Sequence, residues 1–159
     1  MAYVIDYLQG RGAEFTVIPH PASLEADGDE PKAVHDERLA TTHVVMANFG
    51  PGLMVIPASR ELDMPLVIEA IADPDARLAT DAELARLFPE YELGALPPLA
   101  MMLLVPVFVD PAVAEREEIE FAAGRQDLSI RMATSDMFGN DPIVIRPLTR
   151  ESSVATANS

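Results

Sequence analysis

The sequence predicts a single α+β domain in which a mixed, partly closed, barrel-like β-sheet is flanked by helices. Three observations carry that expectation. Strand-like and helix-like segments are interspersed irregularly, which favours a mixed sheet over a doubly wound one. A chain of 159 residues with 49% hydrophobic content suffices for one domain with one sizeable core. His43–Phe49 and Leu53–Pro57 form the clearest hairpin candidate, with strands apolar enough to lie centrally in a sheet.

Taken in order, residues 2–9 place Val4, Ile5 and Leu8 at helical spacing, and Gly10 with Gly12 ends the pattern. Glu14–Ile18 alternates like a short strand, and Pro19-His20-Pro21 interrupts its ladder. Residues 21–36 are rich in Asp, Glu, Pro and Gly without a period, which reads as a surface loop and a candidate lid, with at most a short helix near 33–38. The hairpin turn is expected at Gly50-Pro51-Gly52. Pro65 suits the first turn of a helix over Leu66–Ala72, and Thr80-Asp81-Ala82-Glu83 is a capping box opening another. Strands are expected at Val105–Val109, Ile119–Phe121 and Leu128–Met132, the last with Leu128, Ile130 and Met132 on one face. Ser135-Asp136 reads as a helix start. From Gly139 the tail holds one short apolar run, Ile143–Ile145, and ends in small polar residues expected to be partly disordered.

Composition removes whole classes of chemistry. With no cysteine there is no disulfide, no thiolate metal site and no cysteine nucleophile. No HExxH or i, i+4 histidine pair occurs, so no metal and no cofactor is expected. No apolar run is long enough to span a bilayer, and the N-terminus lacks a signal-peptide pattern, so no membrane partner and a cytoplasmic location are expected. The net charge of −15 arises from 26 acidic against 11 basic residues, and Lys32 is the single lysine. Such a balance repels phosphate backbones, argues against DNA as a partner, and weighs against any nucleic acid unless basic residues cluster.

Several short motifs then recur in a telling order: Pro19-His20-Pro21, Ser23-Leu24-Glu25, Arg38-Leu39-Ala40, Ile56–Asp63, Leu78–Leu84, Leu87-Phe88-Pro89, the GxxxP pattern Gly94-Ala95-Leu96-Pro97-Pro98, Pro106–Asp110, Phe121-Ala122-Ala123-Gly124 and Ile130-Arg131-Met132. The series resembles the YbaK/ProX-type aminoacyl-tRNA editing domains, which include deacylases associated with prolyl-tRNA synthetase. The resemblance covers residues 2 to 138, giving an editing domain over 1–138 and a C-terminal extension over 139–159. It implies a trans-acting deacylase whose pocket takes the 3′ end of a mischarged tRNA, with a synthetase as a candidate recruiter and a small amino acid as the one removed.

It also implies which residues form the site. Gly94 and Pro98 would shape the loop that approaches the ester, with Ala95, Leu96 and Pro97 between them, since glycine admits unusual dihedrals and proline stiffens the chain. Gly124 would support that loop. His20, Thr41, Thr42 and Ser129 would line the pocket, and His43 would act as base or donor, or else be structural. Ser129 lies in no GxSxG motif and is not read as a nucleophile. The family carries a lysine at the start of the first hairpin strand, where this chain has Thr41, Thr42 or His43. That loss supports a second reading: a catalytically silent relative that binds a small molecule or a protein partner. A pocket surface made positive by Arg38, Arg60, Arg125 and Arg131 together would favour the deacylase.

Overall fold

The computed structural model describes residues 3–19, 39–92, 94–98, 105–125, 127–138 and 143–149. His20, Lys32, Arg38 and the loop expected over 21–36 lie outside them. Five helices and eight strands occur among the described residues. In chain order they are α1 (Tyr3–Gly10), β1 (Phe15–Pro19), β2 (Ala40–Ala47), β3 (Gly50–Pro57), α2 (Met64–Ile71), β4 (Arg77–Leu78), α3 (Asp81–Leu87), β5 (Val107–Val109), α4 (Pro111–Ala114), β6 (Glu118–Arg125), β7 (Leu128–Ala133), α5 (Thr134–Phe138) and β8 (Ile143–Ile145).

The strands form two sheets, one of order β1-β7-β6 and one of order β4-β2-β3-β5-β8. The first is antiparallel throughout; the second is antiparallel across β4-β2-β3 and parallel across β3-β5-β8, so the expected mixed α+β architecture is present. A single parallel bridge, Leu39 to Glu120, joins the start of β2 to β6. No closed barrel forms among the described residues, for a reason visible in the hydrogen bonds. Past that bridge, β6 gives its edge at Gly124 to the turn at 92–95, whereas β2 gives its edge at Val45 and Met46 to β4. The two strands therefore diverge, and the wedge between them receives the loop that follows α3.

Apolar residues of alternating strand positions meet in two clusters. The larger packs Val4 and Leu8 of α1 against Val44, Leu53, Val55, Ile119, Phe121, Ile130 and Met132. Leu128 packs with them, so the expected face of β7 is the core face. The smaller sets Val45, Met54, Ile56 and Phe108 against Val67 of α2 and Leu148. Burying each such side chain contributes about 1.5–3 kcal/mol. α2 begins as expected, with Asp63 accepting from the Leu66 N–H and Pro65 in the first turn. α3 has its complete capping box.

The hairpin differs from the expectation at its turn. Ala47 pairs with Gly50 and Met46 with Pro51, so the connection is Asn48-Phe49, and Gly50, Pro51 and Gly52 belong to β3. The Phe49 ring folds back onto Gly52, where an added Cβ would lie 3.3 Å from it. Packing of the ring thus moves the turn by two residues. β4 and α4 are too short for a periodic signal, although Asp110 and Pro111 start α4 as cap and first residue. The apolar run at 143–145 becomes β8 beside β5.

Candidate functional site

Two structures built from local sequence meet where β6 and β2 diverge. The first is the loop after α3. Ala95 N–H closes a turn on the Glu92 carbonyl at 3.0 Å, and the turn then docks on β6: Glu92 N–H donates to the Gly124 carbonyl, and Gly124 N–H donates to the Ala95 carbonyl, both at 2.9 Å. Gly124 sits at an irregularity of the β6–β7 pairing with φ +94°, and a Cβ there would come within 3.0 Å of the Tyr91 ring. Only glycine meets both demands without strain. Gly94, also left-handed at φ +82°, is exposed, while Ala95, Leu96, Pro97 and Pro98 are buried. The motif therefore presents one glycine outward from an anchored base.

The second structure is a polar face. Strand alternation puts Thr42 on the side of Ala40 and Val44, toward the main core, where its Oγ1 is buried and has no hydrogen-bond partner. Thr41 and His43 point the other way, and Thr41 Oγ1 lies 3.3 Å from His43 Nε2. Burial lowers the His43 pKa from 6.5, which favours the neutral imidazole. Residues joined by a bridge share a face, so Leu39–Glu120 puts Glu120 on the Thr41–His43 side. The β6–β7 register adds Arg131 opposite Glu120 and Ser129 opposite Ala122. Ser129 and Glu120 are buried, and Arg131 Nη2 reaches Glu120 Oε1 at 3.3 Å.

Thr41, His43 and Ser129 are thus brought to one face, Thr42 is turned from it, and Gly124 joins the GxxxP loop to β6 at the border of that face. Glu120 was not foreseen. Its signal lay in the alternation of Glu118 and Glu120 with Ile119 and Phe121, but its partner emerges only from the strand register. Asp110, a second buried carboxylate, was also unforeseen. It accepts from the N–H groups of Ala112, Leu148 and Thr149 and from Thr149 Oγ1, and so ties the segment after β8 to α4.

Among the described residues, the arginines that were to form a positive surface do not pool. Arg125 makes a double contact with Asp127 at 2.9 and 2.7 Å, Arg131 is paired with Glu120, and Arg60 donates to Thr149 at 3.4 Å. No group of three or more His, Cys, Asp or Glu side chains suited to a metal occurs among the described residues. Nor is any described helix long and apolar enough to cross a membrane.

Comparison with known proteins supplies the context for this geometry. The sequence matches the family model of the aminoacyl-tRNA editing domain over residues 21–139. No curated protein sequence matches. Among solved structures, the hypothetical protein APE2540 superposes with a TM-score of 0.77 at 21% identity, covering 93% of this chain and 99% of that one. A candidate trans-editing enzyme for prolyl tRNA synthetase gives 0.75 at 20% identity, covering 93% and 95%. A candidate signal transduction protein from Marinobacter aquaeolei VT8 gives 0.73 at 16% identity, covering 96% of this chain and 32% of that one. Each shares the fold of this chain over the part that is covered.

Proposed function

Because this chain belongs to the aminoacyl-tRNA editing domain family, we propose that it hydrolyses the ester of a mischarged aminoacyl-tRNA in trans. The observation that supports the reading is the anchoring of Gly94–Pro98 on Gly124 of β6, the strand that a bridge at Glu120 joins to the start of β2. A backbone held on both sides by hydrogen bonds can present N–H groups to a developing oxyanion without reorganising. In this reading water attacks the ester carbonyl, the acyl C–O bond breaks, and a free amino acid and a tRNA with an intact terminal ribose leave. Gly94 and Pro98 shape the loop, with Ala95 to Pro97 as its base. His43, neutral near pH 7, takes the proton from water, and Thr41 orients the imidazole. His20 and Ser129 belong to the proposed lining, whereas Thr42 faces the core beneath it. The reaction needs no metal or cofactor, takes place in the cytoplasm, and can be assisted by a synthetase that delivers the tRNA.

A deacylation screen against a panel of mischarged tRNAs tests this. The parent should release at least one small amino acid, and Gly94→Ala should reduce that turnover by tenfold or more while keeping its circular dichroism. The φ of +82° strains any side chain, and a methyl group fills the space of the ester. Turnover by Gly94→Ala equal to the parent's would remove the loop from the site.

One observation favours the second reading, a silent relative that binds a small molecule or protein. Of the arginines offered as a tRNA surface, Arg125 and Arg131 are neutralised by carboxylates, against a total charge of −15. A parent inert on every tRNA of the panel would decide for it.

A further inference from the structure

We infer that Arg131 is the cationic binding group of this site, turned by Glu120 toward the Thr41–His43 edge to hold an oxygen of the acylated terminal adenosine. The inference rests on the editing reading and assigns that site its charge.

The argument begins with register. On the polar face, one row across the strands runs Thr16, Arg131, Glu120, Leu39, and the next runs Ile18, Ser129, Ala122, with Thr41 two residues past Leu39. Arg131 is rooted on β7, and its Nη2 is bonded to the carboxylate of its register partner Glu120 on β6, the residue bridged to the start of β2. Ala122, opposite Ser129, is the smallest side chain of its row.

The donor inventory of Arg131 adds a second observation. Its Nε is buried and has no hydrogen-bond partner, although the side chain is 32% exposed. A buried N–H with no acceptor is costly, and a guanidinium presents its donors as a planar fork suited to two oxygens. Glu120 occupies one tine, and the exposed third of the side chain lets an outside oxygen reach the guanidinium. Among the described strand residues of this face, Arg131 is the one permanent cation, His43 being held neutral. Glu120 acts as the positioning residue: at 8% side-chain exposure it is too enclosed to meet the ligand itself.

The test separates this role from mere packing. The probe is an acceptor-stem microhelix ending in amide-linked alanine, which binds without being hydrolysed. Removing Arg131 alone would take from the buried Glu120 carboxylate its Arg131 counter-charge. The working variant is therefore Glu120→Gln with Arg131→Met, and Thr41→Lys is then added to it. The double variant should bind the probe at least tenfold more weakly, by a charge-assisted hydrogen bond lost, and the triple variant should recover to within about threefold of the parent. Arg131→Lys, which keeps the charge against Glu120 but lacks the Nε donor, should also weaken binding and serves if the double variant does not fold. Salt identifies the oxygen: for a phosphate, the double variant loses about one unit from the slope of log affinity against log salt, whereas for the acyl carbonyl the slope is unchanged. The same comparison is read as kcat/KM on the best tRNA of the panel. A folded double variant that binds and turns over like the parent overturns the assignment and leaves the editing reading standing. A parent that neither binds the probe nor deacylates any tRNA overturns the editing reading, and this inference with it.

Discussion

His43 shows how one residue's environment decides its chemistry. Burial holds its pKa below the 6.5 of an exposed imidazole, so the folded protein resists a proton that the unfolded chain accepts. The sign follows: stability conferred by the neutral ring is present above pH 6.5 and is lost as pH falls from there through the lowered folded value. We therefore expect the His43 Cε1 resonance to titrate with a midpoint under 6.5. Urea midpoints should fall between pH 7.5 and pH 5.5 by more in the parent than in His43→Gln. An equal fall in both proteins would mean that other groups govern this window. The residue type was legible in the sequence, and its two alternative roles were left open there. The choice of face was not legible, because Thr41, Thr42 and His43 are consecutive and only pairing with β3 and the bridge to β6 reveals which of them share a side.

At the scale of elements, local chemistry was read most reliably where partner and residue lie within one turn. Thr80 caps α3 by accepting from the Glu83 N–H at 3.1 Å, while Glu83 Oε1 accepts from the Thr80 N–H at 2.9 Å. Glu83 also takes two bonds from Arg77, and these with the cap hold its carboxyl at about 2. Thr80→Ala should cost about 1 kcal/mol, measured by urea denaturation, and should speed amide exchange in α3 before that of β2. Because the Glu83 pKa is lowered, the carboxylate's share of the capping is present above 4.5 and vanishes as pH drops through about 2. Exchange in α3 that is unchanged in Thr80→Ala would show that tertiary contacts alone hold the helix. By contrast, the turn of the β2–β3 hairpin was misplaced at Gly50-Pro51-Gly52, since turn propensity is a local statement and the Phe49 ring resting on Gly52 is not. β4 escaped notice for a related reason: two residues carry no period, and Arg77–Leu78 is a strand because Val45 and Met46 are beside it.

At the scale of the whole molecule, the segment that follows β8 is held by one buried acid. Asp110 receives Leu148 N–H at 2.9 Å and Thr149 N–H and Oγ1 at 3.0 Å, which seats Leu148 in the second core cluster and brings Thr149 beside Leu62. Asp110→Ala leaves these donors and the Ala112 N–H without their acceptor, and we expect a loss on the order of 3 kcal/mol in urea unfolding. Amide exchange at Leu148 and Thr149 should rise first. A loss under about 0.5 kcal/mol, as for an ordinary surface change, would show that water or another group replaces the carboxylate.

What the sequence determined by itself was the α+β class, most of the strands and helices, the absence of cysteine chemistry, the acidic balance and the family, because each is carried by residue identity, short-range spacing or an ordered series of motifs. What only the tertiary structure decided was the split into two sheets, the docking of the Gly94–Pro98 loop on Gly124, the separation of Thr42 from Thr41 and His43, and the pairing of Glu120 with Arg131. These depend on strand register and on which backbone edge is left unpaired. Such contacts join residues from 11 to 39 positions apart, as Arg131 with Glu120 and Thr149 with Asp110 show. The free energy that selects them comes from burial and hydrogen bonding between segments, which no local pattern records.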